Sequence, residues 1–169
     1  MDVAAVLTDS YSRIGEEVHA AVEGLSAEQL AFRVDPQANS IGWLVWHLTR
    51  VQDDHVAGVA GTEQVWTAQG FAERFALPFP VGAIGYGQSS EDVAAVRVGS
   101  PDLLTAYYDA VAAASLDYVG RLTEGDLDRV IDEAWDPPVT LGVRLVSVVD
   151  DCAQHAGQAA FIRGIVQRR

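Results

Sequence analysis

Lysine is missing from this chain: its eleven basic residues are all arginine, set against 24 acidic ones, for a formal net charge of -13 and a pI near 4.4. An anionic balance this deep repels a phosphate backbone and no basic stripe offsets it, which excludes nucleic acid as a partner. The lysine-free composition also hints at a high-GC genome. Cysteine is nearly absent. Cys152 alone rules out an internal disulfide framework and points to a reducing cytoplasm. A basic-then-apolar leader is not seen at the N-terminus, which carries Asp2 and Asp9. Long apolar runs are missing too: Arg144 interrupts Leu141 to Val149, short of the roughly 18 residues a membrane span needs. The chain is expected to be soluble and off the membrane. The glycines between residues 58 and 87 follow no strand and show neither Gly-Lys-Ser nor Gly-x-Gly-x-x-Gly order, so a phosphate-cradling loop is excluded.

What is present is enough for one packed domain over residues 1–169, with 49% of the chain apolar. Val3, Val6, Leu7, Ser10, Ile14, Val18 and Val22 recur at 3- and 4-residue steps and predict a first helix from about Asp2 to Glu23, with His19 at its edge. Gly24 stops it, and a short capped turn at 25–30 follows. Ser40 caps a second helix to about Ala57, with Trp43 and Trp46 adding large area to its apolar face. Residues 59–99 form a long crossover, broken by Gly and Pro yet rich in aromatics such as Trp66, Phe71, Phe75, Phe79 and Tyr86. It is expected to contain short helices near 66–75 and 91–96, and its aromatics are either a lid over a pocket or cover for the core. Ser100-Pro101-Asp102 starts a third helix, running to about Leu122, and a fourth runs from Leu141 to about Gln167. Leu122-Thr123-Glu124-Gly125-Asp126-Leu127 repeats the pattern of residues 25–30, and Thr140-Leu141-Gly142 that of Ser40-Ile41-Gly42. The order suggests a duplicated helix, turn and helix unit. The expected architecture is all-α: a four-helix bundle of two helical hairpins joined by the long crossover.

Chemistry concentrates on the second and fourth helices. Asp151 and His155, four residues apart, lie about 40° apart around a helix and one turn apart along it, so both can point at one ion. A carboxylate and an imidazole make half a metal site, and His47, an ionisable group within an apolar helix, is the candidate third ligand. Asp54 and Asp150 are candidates to orient ligands or act as a base, Gln158 to support a ligand, and Arg50 either to bind a substrate carboxylate or to pair at the surface with Asp53 or Asp54. His55 lies too far along its helix to share an ion with His47. Cys152 is turned about 100° from Asp151 and reads as a small buried hydrophobe.

Trp43-Leu44-Val45-Trp46-His47-Leu48 together with Asp151-Cys152-Ala153-Gln154-His155-Ala156-Gly157-Gln158 resembles the DinB-like superfamily over essentially the whole chain. It looks closest to the branch containing mycothiol-dependent maleylpyruvate isomerase and the bacillithiol transferases. The resemblance implies a divalent metal held by one ligand from the second helix and two, spaced by four, from the fourth. Many members use three histidines, and the mycothiol-dependent isomerase uses His, Glu and His. Here His47, Asp151 and His155 stand in those places, with an acid about one bond shorter. The resemblance further implies a zinc, nickel or iron ion, mycothiol as thiol cosubstrate, a small electrophilic substrate, and a homodimer. The expected function is a metal-dependent S-transferase or isomerase using a low-molecular-weight thiol. A metal-dependent hydrolase and a non-catalytic, stress-related metal-binding or dimerising bundle are the alternatives.

Overall fold

The structure, a computed structural model, describes residues 1–168. Four long helices carry it: α1 (Val3–Val22), α3 (Ile41–Ala60), α7 (Pro101–Val119) and α9 (Leu141–Val166). Five short ones decorate the connections: α2 (Ala27–Leu30), α4 (Val65–Ala68), α5 (Phe71–Phe75), α6 (Ser90–Ala95) and α8 (Glu124–Leu127). A small antiparallel ribbon of β1 (Val130–Asp132) and β2 (Val139–Thr140) precedes α9 and is absent from the sequence-based expectation.

Each long helix begins where a short polar side chain can satisfy a free backbone N–H. Asp2 accepts from the Ala5 amide, Ser40 from Trp43, Ser100 from Asp102 and Thr140 from Val143. Gly61, at φ +70°, closes α3 in the left-handed conformation that favours glycine. Apolar stripes from all four helices meet in one core that includes Tyr11, Val18, Leu44, Leu48, Tyr107 and Leu145. α1 packs against α7 and α9, and so does α3, leaving α1 diagonal to α3 across the bundle. Among the described residues no helix is long and apolar enough to cross a membrane.

The suspected duplication has a structural counterpart. Ser26 with Gln29, and Thr123 with Asp126, form reciprocal capping boxes that start α2 and α8. The two units then share a close approach: a Cβ on Gly42 would stand 3.3 Å from the Leu30 carbonyl oxygen, and one on Gly142 3.2 Å from Leu127 Cβ. Each short helix thus seats its last leucine residue against a glycine in the first turn of the next long helix.

The crossover divides into two parts. Trp66, Phe71 and Phe75 are buried around Tyr107 and cover the core. Residues 83–86 instead lie over α3 at His47, where Tyr86 remains exposed. What fastens this strap is buried charge. Arg50, fully buried, donates to the Ala83 carbonyl at 3.2 Å, Tyr107 Oη at 3.2 Å and Gln64 Oε1 at 2.9 Å. Asp53, 3.5 Å from Arg50, accepts from the Val65 and Trp66 amides and from Tyr107 Oη, each at 2.8 Å.

Candidate metal centre

One turn of α3 and two turns of α9 face each other, and between them His47, Asp151 and His155 bring one ligand atom each within 4.8 Å of one another. Three donors bound at about 2.1 Å to a shared ion lie at most about 4.2 Å apart, so closing the cluster takes side-chain adjustments of a few tenths of an ångström. Aspartate, despite its shorter reach, extends far enough.

Both imidazoles are oriented from outside. His47 Nδ1 donates to the Ile84 carbonyl, which accepts only, so Nε2 carries the free lone pair. His155 Nδ1 lies 3.0 Å from Gln158 Oε1, an arrangement that likewise leaves Nε2 toward Asp151, whose Oδ1 is 3.8 Å away. A ring nitrogen tied to oxygen with its opposite nitrogen presented inward is the usual preparation of a metal-binding histidine. Trp43 stacks on His47 at 4.5 Å between ring centroids, meets His155 edge-on at 6.1 Å, and is itself held by a 2.7 Å bond from Nε1 to Gln88 Oε1. Asp151 Oδ2 is buried and has no hydrogen-bond partner. An unpartnered carboxylate oxygen beside two prepared imidazoles is the donor set a divalent cation satisfies.

Of the supporting candidates, Gln158 is at the cluster and the other three are not. Asp54 accepts from Gln64 Nε2 at 2.7 Å and approaches His55 at 3.7 Å. Asp150 is exposed and accepts from Gln154. Arg50 corrects the expectation of a substrate-binding or surface arginine: fully buried, it spends its donors on the crossover. Cys152 is fully buried, its thiol pushed up by burial and then by Asp151, and it donates to the Leu48 carbonyl.

Sequence reasoning did not single out Gly85. Its φ is +107°, and a Cβ there would fall 2.4 Å from His47 Nδ1. Only its place among the crossover glycines marked it. Gly85→Ala is expected to displace the Ile84 carbonyl or the imidazole and to lower metal affinity by about 10–100-fold, as loss of an outer partner does. Competition with a chelating dye measures this, and unchanged affinity refutes the constraint.

Burial holds His47 below the ordinary histidine value of 6.5, with His155 adding to the shift and Ile84 and Asp151 opposing it. Burial lowers His55 as well, aided by Arg144, whose Nη1 lies 3.1 Å from its Nδ1. A histidine with a depressed folded pKa binds fewer protons than the unfolded chain between the two values. Its contribution is therefore complete above 6.5 and is lost as pH falls through the folded value. For the metal-free chain, the denaturant midpoint is expected to be flat at about pH 7–8 and to drop below about 6.5, with a shallower drop in His55→Asn. A midpoint constant down to about pH 5.5, still above the carboxylate range, contradicts this.

The family model described as MST, mycothiol-S-transferase, matches residues 6–167. A solved structure described as the conserved protein of locus from Enterococcus faecalis superposes with a TM-score of 0.93 at 31% identity, covering 100% of this chain and 99% of that one. No curated protein matches. The chain belongs to the mycothiol-S-transferase family of DinB-like helical bundles.

Proposed function

We propose that the protein is a metal-dependent S-transferase that joins the thiol of mycothiol to a small electrophilic substrate. The observation carrying this reading is the convergence of His47, His155 and the unpartnered Asp151 carboxylate at one point between α3 and α9. These three residues would hold the ion; zinc is the first choice, and nickel or iron suit the same donors. A divalent cation with three protein ligands leaves a position for an outside ligand and lowers the pKa of a thiol placed there. The chain's own groups supply the rest. Ile84 and Gln158 fix the imidazoles, Trp43 shields one face of His47, and the strap at 83–86 lies over the cluster. The sulfur must come from a cosubstrate, because Cys152 is buried with its proton held tightly. An isomerase reading uses the same site, with the thiol first added to an unsaturated substrate and then expelled. Hydrolysis gains no support, since Asp54 and Asp150, its candidate bases, are engaged by Gln64 and Gln154.

The test is conjugation of a chromogenic aryl halide by protein purified without an affinity-tag metal, analysed for metal content, and assayed with and without mycothiol. Turnover that needs both metal and thiol supports transfer. Metal-dependent turnover without thiol would establish hydrolysis instead, and a stable metal-bound protein without turnover a binding bundle.

A further inference from the structure

α3 and α9 run antiparallel along one seam: His55 meets Arg144 at 3.1 Å, the Leu48 carbonyl meets Cys152 Sγ at 3.4 Å, and the His47 and His155 rings lie 4.9 Å apart. Followed past the metal cluster, toward the start of α3 and the end of α9, that seam opens into a cavity of about 600 Å³. Leu44, one turn before His47, and Ile162, two turns beyond His155, are buried at its base. Val34 and Phe161 line it and are exposed, and Gln158 stands in its wall. Gln158 is the residue that holds His155 Nδ1 at 3.0 Å. The cavity therefore begins where the cluster ends.

The wall opposite α9 is the loop at 34–39, and it is fixed without any ligand. Asp35 accepts from the Gln37 and Ala38 amides at 2.7 and 2.9 Å. Arg33 donates to the Pro36 and Ala38 carbonyls and to Ser90 Oγ at the start of α6. A preformed space of this size falls within the roughly 300–1,000 Å³ of small-molecule sites. Its walls select among ligands. The chain carries 24 acidic and eleven basic residues, yet among the described residues no charged side chain lines this cavity. Its polar groups are the neutral amides of Gln37, Asn39, Gln154 and Gln158. An ion entering it would lose hydration without gaining a partner, so the space favours an uncharged body. Phe161, 69% exposed, offers its ring to an aromatic ligand. Val34 and Phe161 supply little of the roughly 800 Å² per partner that a stable pair of chains buries, which favours a small molecule over a second copy.

We infer that this cavity takes the electrophilic substrate and that the substrate has an uncharged aromatic body. That the occupant is the electrophile rests on the thiol-transfer reading, whereas the preference for an uncharged ring is argued from the walls alone. A ring lying against Leu44, Phe161 and Ile162 presents its reacting carbon at Gln158, beside the cluster. With an aryl halide, the thiol sulfur bonds to that carbon, the carbon–halogen bond breaks, the halide departs with the electron pair and the thiol proton passes to solvent.

The experiment titrates N-phenyl-1-naphthylamine, an uncharged dye that brightens in apolar surroundings, into the full chain and into Gly157→Leu and Phe161→Ala, with 8-anilino-1-naphthalenesulfonate as the anionic control. A Cβ on Gly157 would meet nothing within 4 Å, so leucine there fills the cavity and replaces a residue that weakens α9, which keeps the fold. Phe161 is exposed, so its truncation is equally safe. Fluorescence is expected to show saturable binding of the neutral dye to the parent, displacement by the aryl halide, weaker binding of the anionic dye, and affinity lowered about tenfold in each variant. In the transfer assay the KM for the aryl halide should rise by a like factor while kcat and metal content change little. No saturable binding, equal binding by parent and variants, preference for the anionic dye, or no displacement by the aryl halide overturns the inference. So does a parent dimer, seen by sedimentation, that binds no dye and that both variants dissolve, since the face is then an interface between copies. Dye binding displaced by the aryl halide without thiol-dependent turnover sinks the transferase reading and leaves the ligand class of the cavity standing. Thiol-dependent turnover with an unchanged KM in both variants does the reverse.

Discussion

His47→Ala and Asp151→Asn are each expected to yield a folded protein that retains no divalent metal and conjugates thiol to electrophile about 10²–10⁴-fold more slowly. The range is the several kcal/mol a metal Lewis acid typically supplies, at about 1.4 kcal/mol per factor of ten. Asp151→Asn is the sharper of the two because it changes almost no volume. It replaces an anionic donor whose Oδ2 has no partner with an amide or carbonyl of lower affinity. His47→Ala removes the donor that α3 contributes and the ring on which Trp43 stacks, so some stability loss accompanies it. Elemental analysis with circular dichroism separates the two effects. A variant that keeps stoichiometric metal with unchanged turnover would show that the ion, if any, is held elsewhere.

Asp53→Ala is expected to destabilise the protein by about 3–5 kcal/mol, the cost of leaving a buried charge without its partner. Arg50 is fully buried and Asp53 nearly so, and removal of the carboxylate strands three donors besides the guanidinium: the Val65 and Trp66 amides and Tyr107 Oη. All three donors belong to buried residues, where a lost acceptor is costly to replace. The effect should extend beyond stability. Arg50 also holds the Ala83 carbonyl, one residue before the carbonyl that orients His47. Metal affinity should therefore fall along with the unfolding midpoint, and a midpoint within about 1 kcal/mol of the parent would contradict the network's role.

The helices were legible because their signals are local. Apolar steps, the caps at Ser40 and Ser100, and Gly24 after α1 each act within one turn, and the structure reproduces them to within a few residues. The triad was legible in part, since Asp151 and His155 share a helical face by spacing alone, whereas His47 needed an argument about polarity in an apolar stretch. What escaped depends on the path of the crossover. Nothing near Arg50 in sequence reveals that Ala83 and Tyr107 surround it, so it read as a surface residue. Gly85 and Ile84 acquire meaning only once residues 83–86 lie on His47. The β1–β2 ribbon was missed because each strand is too short for a period-two pattern to register.

The diagonal placement of α1 and α3 bears on how such a bundle can be built or cut. A helix, turn and helix unit whose two long helices face each other across a gap has no closed interior of its own; the gap is filled by the other unit. Residues 1–60 alone would present two apolar stripes with nothing between them, too little buried area to offset the entropy of ordering. An ancestor made of one unit could have been stable only as a pair of identical chains. In the register that sets Gly42 against Gly142, the place held by His47 in one unit is held by Ser147 in the other, so the two halves of the scaffold are not equivalent as ligand carriers.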